Sequence, residues 1–436
     1  MLTFSSLRLS LVALMCASSA AIAAEPTFKK ITLTRDFWCE GAHFADFDHD
    51  GSNDIVAGPF IWWGPEFKEK AAYSSPKPDR AKPVTDADYI PVYEAFVAKS
   101  PEEQSKTYDP AKGYSDYFLT YTYDFNSDGW SDIIVFSWPG DITAWYENPR
   151  GRTGKAWVRH VIFDVTDNES PQLGDMNGDG KPELIAHSGG RLGYASLDWS
   201  DPTKPASYLA ISKPDIKKYF RYTHGYGFGD INGDGRADIL DKDGWREQPK
   251  DVTTEWAFHA APFAPDFAGA DGVRKPARGG SQMQVYDVNG DGLNDVIASW
   301  DAHGYGLAWN EQKKDGSFVS HQLMGSKPED SPHGVKFTQM HATDMADIDG
   351  DGVKDLITGK RRWAHGPAKD DEPMAAPVLY WFQIKRDGKG GADFIPHQID
   401  DDSGVGTQVT AGDVNKDGKQ DIVVGNKSGV FVFLQQ

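Results

Sequence analysis

Cysteine is nearly absent from this chain: there are two in 436 residues, Cys16 and Cys39. Cys16 falls in an N-terminal apolar stretch, which leaves Cys39 alone in the remainder and excludes an internal disulfide there. Long hydrophobic runs are missing as well, and the stretch at 9–17 is too short to span a bilayer. Positive charge is scarce, with 45 Lys and Arg against 65 Asp and Glu and a formal net charge of −20. No basic stripe or polybasic tail is present to meet nucleic-acid phosphates, so nucleic acid is excluded as a partner. The chain also has no phosphate loop, dinucleotide fingerprint, haem-attachment CxxCH or H-E-x-x-H zinc motif. Stability must therefore come from a core and from whatever the acidic residues bind.

Those acids are concentrated in seven copies of D-x-[DN]-x-D-G-x-x-[DE], each followed by two aliphatic residues. Positions 1, 3, 5 and 9 are Asp46, Asp48, Asp50 and Asp54 in the first copy, and Asp124, Asn126, Asp128 and Asp132 in the second. The third and fourth have Asp175, Asn177, Asp179 and Glu183, then Asp230, Asn232, Asp234 and Asp238. Asp287, Asn289, Asp291 and Asp295 form the fifth, Asp347, Asp349, Asp351 and Asp355 the sixth, and Asp413, Asn415, Asp417 and Asp421 the seventh. Oxygens at positions 1, 3 and 5 can converge on a hard cation such as calcium if the backbone curls tightly, and position 9 can close the shell. Glycine at position 6 throughout permits the curl. Position 7 varies freely, as expected where only its carbonyl is used.

An EF-hand would require Glu at position 12 and a following helix. Position 12 is instead Ala57, Val135, Ala186, Asp241, Ala298, Thr358 or Val424, and each loop runs into a β-branched or aliphatic strand such as Ile133-Ile134-Val135. Two carboxylates about 4 Å apart repel by roughly 4 kcal/mol at an effective dielectric near 20, so empty loops should destabilise the fold. The loops hold 23 acidic residues, and seven calcium ions would bring the charge from −20 to about −6.

The copies begin 78, 51, 55, 57, 60 and 66 residues apart, steps near the size of a four-stranded propeller blade. With DFDHDGSNDIVAG, DFNSDGWSDIIVF, DMNGDGKPELIAH, DINGDGRADILDK, DVNGDGLNDVIAS, DIDGDGVKDLITG and DVNKDGKQDIVVG, the chain resembles the FG-GAP/VCBS repeat family of β-propellers. The resemblance implies an all-β fold, a seven-bladed β-propeller with four-stranded blades and up to seven bound calcium ions. Outermost strands are expected at FKKITLT (28–34), WVRHVIF (157–163), WAFHAAP (256–262), FVSHQLM (318–324) and FIPHQID (394–400). The chain ends on an inner pair and a third strand, GVFVFLQQ, so the N-terminal strand should join the C-terminal blade and close the ring.

Residues 1–24 read as a secretory signal peptide, with Arg8, the apolar stretch and the A-x-A site Ala21-Ile22-Ala23, and they predict export to the periplasm or beyond. A lipoprotein signal at Cys16 lacks the small residue expected beside it. Residues 25–436 read as one domain, a monomer, with an inserted loop at 64–114 over a propeller face and a second Pro/Gly/Ala-rich excursion at 260–280.

In such blades one rim collects the turns leaving the second strands and the segments entering the innermost ones. His160, His259, His321 and His397 recur at one outer-strand position and are explained by the repeat; His49 lies in an acidic loop and His43 on an inner strand. His187, His224, His303, His333, His341 and His365 are left for the rim. The candidate site is His303, His341 and His224 as acid or base, with Asp301 as orienting partner, and Arg361 and Arg362 forking onto an anion. Trp138, Trp300 and Trp363 offer flat faces to a sugar. Two or three of the histidines can instead bind a second metal such as zinc. The chain is also similar, overall, to the propeller of aldos-2-ulose dehydratase and to propeller polysaccharide lyases, which implies a carbohydrate ligand and elimination chemistry. The other reading is a non-catalytic adhesion or scaffold propeller, like the integrin-type relatives, with scattered histidines and an exposed apolar patch on 64–114.

Overall fold

Each acidic repeat sets a tight turn between two strands, and that alternation builds the whole molecule. The strands leaving the turns, such as Asp54–Ala57, Asp132–Phe136, Asp295–Ser299 and Asp355–Gly359, are buried at every position, as their unbroken aliphatic runs require. Each pairs antiparallel with the strand entering its turn; Tyr286 faces Asp295 and Gln284 faces Ile297 in the fifth repeat. In the computed structural model, which describes residues 25–78, 84–269 and 271–436, seven four-stranded antiparallel sheets follow one another as the blades of a β-propeller. The signal-peptide expectation, on 1–24, lies outside the described residues.

The last sheet runs in the order Phe28–Thr34, Gly429–Gln435, Asp421–Asn426, Val409–Gly412. The N-terminal strand thus closes the ring, with Phe28 opposite Gln435 and Thr32 opposite Phe431. The recurrent outer-strand histidines stack on third-strand tryptophans: His160 on Trp145, His259 on Trp245, His321 on Trp309 and His397 on Trp381, at 4.2–4.5 Å between ring centres. The first three also reach Glu147, Glu247 and Glu311 at 2.8–2.9 Å.

The loops share one geometry. The glycine at position 6 has φ between 83° and 96° in all seven, a region that residues bearing a Cβ enter only with strain. Its N–H donates to the position-1 carboxylate at 2.8–3.1 Å. Position 4 also lies at positive φ, which explains why it is glycine in four loops, while His49, Ser127 and Lys416 adopt the same conformation.

The ninth-position carboxylate points inward and ties two strands to the loop. One oxygen accepts the N–H of loop position 2 at 2.9–3.1 Å in every copy. Except in Glu183, the other accepts an N–H near the end of the blade's third strand: Gly64, Asn148, Gln248, Gln312, Ile384 or Gln435, at 2.8–2.9 Å. Four of those residues then reach the preceding blade. The side-chain amides of Asn148, Gln248, Gln312 and Gln435 donate to the carbonyls of Phe47, Met176, Ile231 and Ile348 at 2.8–3.0 Å.

The insertion at 64–114 is shorter than its composition suggested. Lys70–Ala72 is the outermost strand of the first blade, hidden in the sequence by its Lys/Ala content. Two helices follow, Asp86–Val97 and Pro101–Ser105; the first packs Tyr89 and Phe96 into the core, and Tyr93 donates to Ala72 O at 2.9 Å. The 260–280 excursion holds a small hairpin, Phe267–Ala268 with Arg274–Lys275.

Replacing Asp295 with Ala leaves the buried N–H groups of Val288 and Gln312 without an acceptor. Stability should fall by about 2–4 kcal/mol in denaturant unfolding, with or without added calcium. A loss under about 0.5 kcal/mol would show that the brace is dispensable.

Candidate functional site

Backbone hydrogen bonds between blades form the floor of one rim. Glu40 N–H donates to Tyr117 O, and Glu40 O accepts from Thr407; Glu169 N–H donates to Thr223 O, and Gly225 N–H to Gly280 O, at 2.7–3.0 Å. Gln339 is the hub of the opposite side. Its N–H donates to Gly304 O, its carbonyl accepts from Arg361 N–H and contacts His341 Nδ1, and its φ of 60° holds a non-glycine residue in the left-handed region. His303, His341 and Arg361 are thereby set relative to one another by one residue.

Above this floor opens a pocket of about 410 Å³. Its lining joins a contiguous aromatic group, Tyr114, Trp138, Phe220 and Tyr222, to polar residues, Glu169, His224, Arg278, His303 and His365. Phe220 and Tyr222 remain 46% and 41% exposed at the mouth. Tyr114, delivered by the tail of the insertion, packs against Trp138 with ring centres 4.1 Å apart and planes tilted by 41°, and Lys427 Nζ lies 4.3 Å from its ring centre.

His224, His303 and His341 converge. Their rings are 4.9–5.3 Å apart and meet at 76–90°, and one nitrogen from each lies within 4.8 Å of the others. His224 Nε2 is 3.1 Å from His303 Nε2. Burial, reinforced by the Arg361 and Arg278 cations, drives His224 down to about 3. Burial, with Arg361 and His303, holds His341 well below its ordinary value, and burial with neighbouring His224 lowers His303. At neutral pH the three rings are therefore uncharged. A second group, His303, His365 and Asp370, adjoins them: Asp370 Oδ1 is 2.8 Å from His365 Nδ1 and 3.5 Å from His303 Nδ1.

The remaining expected site residues do other work. Asp301 does not orient an imidazole ring; it pairs bidentately with Arg278 at 2.9–3.0 Å and accepts the backbone N–H of His303. Arg361 is wholly buried and engaged by Glu40 at 2.8 and 3.1 Å, with Glu169 at 3.7 Å, so it is part of the floor and does not fork onto a ligand. Arg362 turns out of the pocket and stacks on Trp363 at 4.5 Å. Trp363 donates to Pro110 O, and Trp300 is buried beside Phe267, which leaves Trp138 as the pocket tryptophan among the three. His187 is buried against Tyr219 and Tyr226, and His333 pairs with Asp393 away from the cluster.

Glu40, Glu169, Arg278, Asp370 and Lys427 escaped the sequence reading. Glu40 had one signal, an acid directly after the apolar string Phe37-Trp38-Cys39 and outside the acidic loops. Burial pushes Glu169 up to about 7 against the pull of Arg361, and lowers Lys427 to about 8.

The FG-GAP-like repeat profile matches residues 124–186 and 287–358, each span carrying two of the acidic loops, and the FG-GAP repeat profile matches 405–433, which carries one. The chain is an FG-GAP-repeat β-propeller. No curated protein matches this FG-GAP propeller. Similar solved structures include an Agrocybe aegerita lectin described as recognising non-reducing terminal N-acetylglucosamine, with TM-score 0.46 and 17% identity over 94% of this chain and 86% of that one. BBS1N in complex with ARL6DN gives 0.44 and 10% over 92% and 93%. The rhamnogalacturonan lyase YesW gives 0.39 and 12% over 93% and 72%. At such identities the likeness is one of fold alone. Among the described residues no helix is long and apolar enough to cross a membrane.

Because Arg361 and Glu40 are both fully buried, removing either strands a charge. Arg361→Met and Glu40→Leu should each cost about 3–5 kcal/mol in denaturant unfolding, and the double variant should recover much of that loss. Full stability in Arg361→Met would return Arg361 to the ligand-binding role.

Proposed function

We propose that this protein is an exported, calcium-stiffened propeller that binds a carbohydrate-type ligand in the rim pocket and acts on it by proton abstraction and elimination, as a lyase or dehydratase. The observation that carries this reading is the pocket's mixed lining. Tyr114, Trp138, Phe220 and Tyr222 match the apolar C–H face of a sugar ring, and Glu169, Arg278 and His365 match its hydroxyl or carboxylate edge. Glu169 supplies the carboxylate placed to take a proton, and Arg278 a cation with more than half its side chain exposed.

Calcium fits the loops on an observation of their own. Asp46 Oδ1 and Asp347 Oδ1 are buried without a hydrogen-bond partner inside the clusters Asp46–Asp48–Asp50 and Asp347–Asp349–Asp351, where a cation would satisfy them. Calcium there supplies structural charge neutralisation on the loops, remote from the chemistry of the pocket. Export is supported by the signal-like 1–24 segment.

Titration of the mature protein with a panel of neutral and acidic oligosaccharides tests the reading. Tyr222→Ala should weaken binding about three- to ten-fold, the 0.5–1.5 kcal/mol of one aromatic contact. Glu169→Gln should keep binding and lose unsaturated-product formation by about 10²–10⁴-fold. Binding without turnover in the native protein would leave a lectin-like module, and no saccharide binding at all would refute the proposal.

A further inference from the structure

We infer that His224, His303 and His341 form a mononuclear site for a divalent transition-metal ion at the base of the rim pocket, with zinc(II) or another imidazole-preferring first-row ion as its occupant. The inference deepens the reading of that pocket and rests on it only for the identity of the remaining ligands.

Four observations combine. First, two of the nitrogens are the right distance apart, and one nitrogen of the third ring lies within 4.8 Å of one on each of the others. An ion bound at 2.0–2.1 Å holds two imidazole nitrogens about 2.9–3.4 Å from each other for ligand angles between about 90° and 109°, and His224 Nε2 and His303 Nε2 are 3.1 Å apart. Secondly, the three rings stand at 76–90° to one another, so they approach a common point from three directions.

Thirdly, one outer nitrogen is held in the tautomer that metal binding requires. His341 Nδ1 lies 3.1 Å from Gln339 O, so it carries the proton and Nε2 keeps its lone pair. His303 Nδ1 makes no hydrogen bond, but the Asp370 carboxylate lies 3.5 Å from it, and that charge favours a proton on Nδ1 over one on Nε2. Fourthly, the cluster without an ion is incompletely satisfied. A hydrogen bond from His224 Nε2 to His303 Nε2 accounts for one contact, but it leaves His341 Nε2, His224 Nδ1 and His303 Nδ1 buried with no hydrogen-bond partner. An ion takes all three Nε2 lone pairs, with His224 in the Nδ1–H tautomer, so no buried Nε2 is left unused.

The donor set selects the ion. Neutral imidazoles suit zinc, iron, copper and nickel, whereas calcium and magnesium prefer oxygen. The carboxylate beside the coordinating side is Glu169, with Oε1 4.0 Å from His224 Nε2, and His224 and His303 both line the pocket. An oxygen of a bound ligand would complete the coordination there.

Cobalt(II), whose ligand-field spectrum reports its ligands, tests the site. The full mature chain, purified without nickel affinity resin, is stripped of metal and held in excess calcium to occupy the acidic loops. Added cobalt should then bind at one equivalent per chain, give a spectrum unlike that of the aqueous ion, and be displaced by zinc. His341→Ala should abolish the signal. Asp370→Asn, outside the three ligands, should weaken cobalt binding about 10–100-fold; it keeps the test decisive if His341→Ala does not fold. Only the aqueous-ion spectrum in the native protein, or an equivalent that survives both substitutions, would overturn the inference. Cobalt binding in a protein that binds no saccharide would refute the carbohydrate reading alone, and saccharide binding without cobalt would refute the metal alone.

Discussion

The buried carboxylate at the ninth loop position is the contact on which the propeller depends. Asp132 or Asp295 accepts one N–H from its own loop and another from the far end of its third strand, so a single side chain fixes the turn and the width of the blade. The residue it holds, Asn148 or Gln312, then passes an amide to the preceding blade. A carboxylate buried at such a place is stable only because both oxygens are satisfied. The other loop carboxylates, at positions 1 and 5 and in two loops also at position 3, crowd around the same turn, where they repel one another. Calcium, as proposed, turns that repulsion into attraction at seven points around the ring.

Much of the fold was legible because its information is local. A nine-residue pattern, repeated with aliphatic residues after it, gives the turn, the strand and the repeat together, and the unpaired third strand at the C-terminus foretold that 28–34 would complete the last blade. Positions where local chemistry is weak were misread. Lys70–Ala72 looks like linker because the first blade's outer strand is short and half exposed.

The pocket was legible only as a collection of histidines on one rim. Grouping residues by blade position brought His224, His303 and His341 together, because equivalent segments meet at one end of the ring. Which charge sits beside which depends on contacts across the ring, and these leave no trace in spacing: Arg361 and Glu40 are 321 residues apart. Asp301 lies two residues from His303 and nevertheless turns to Arg278, while Asp370, from the next blade's long connection, faces the ring. Burial decided the roles. Arg361, fully enclosed, neutralises Glu40 and Glu169, and the half-exposed Arg278 and Tyr222 are left to meet a ligand. A floor of inter-blade backbone bonds positions the segments that carry these side chains.

The most direct measurement is calcium content by mass spectrometry on the mature protein, paired with its melting temperature before and after chelation. The account predicts several calcium ions per chain, up to seven, and a large fall in melting temperature on their removal, since each ion held at about 100 times its dissociation constant adds about 2.7 kcal/mol. A protein that contains no calcium and melts at the same temperature with or without chelator would contradict it.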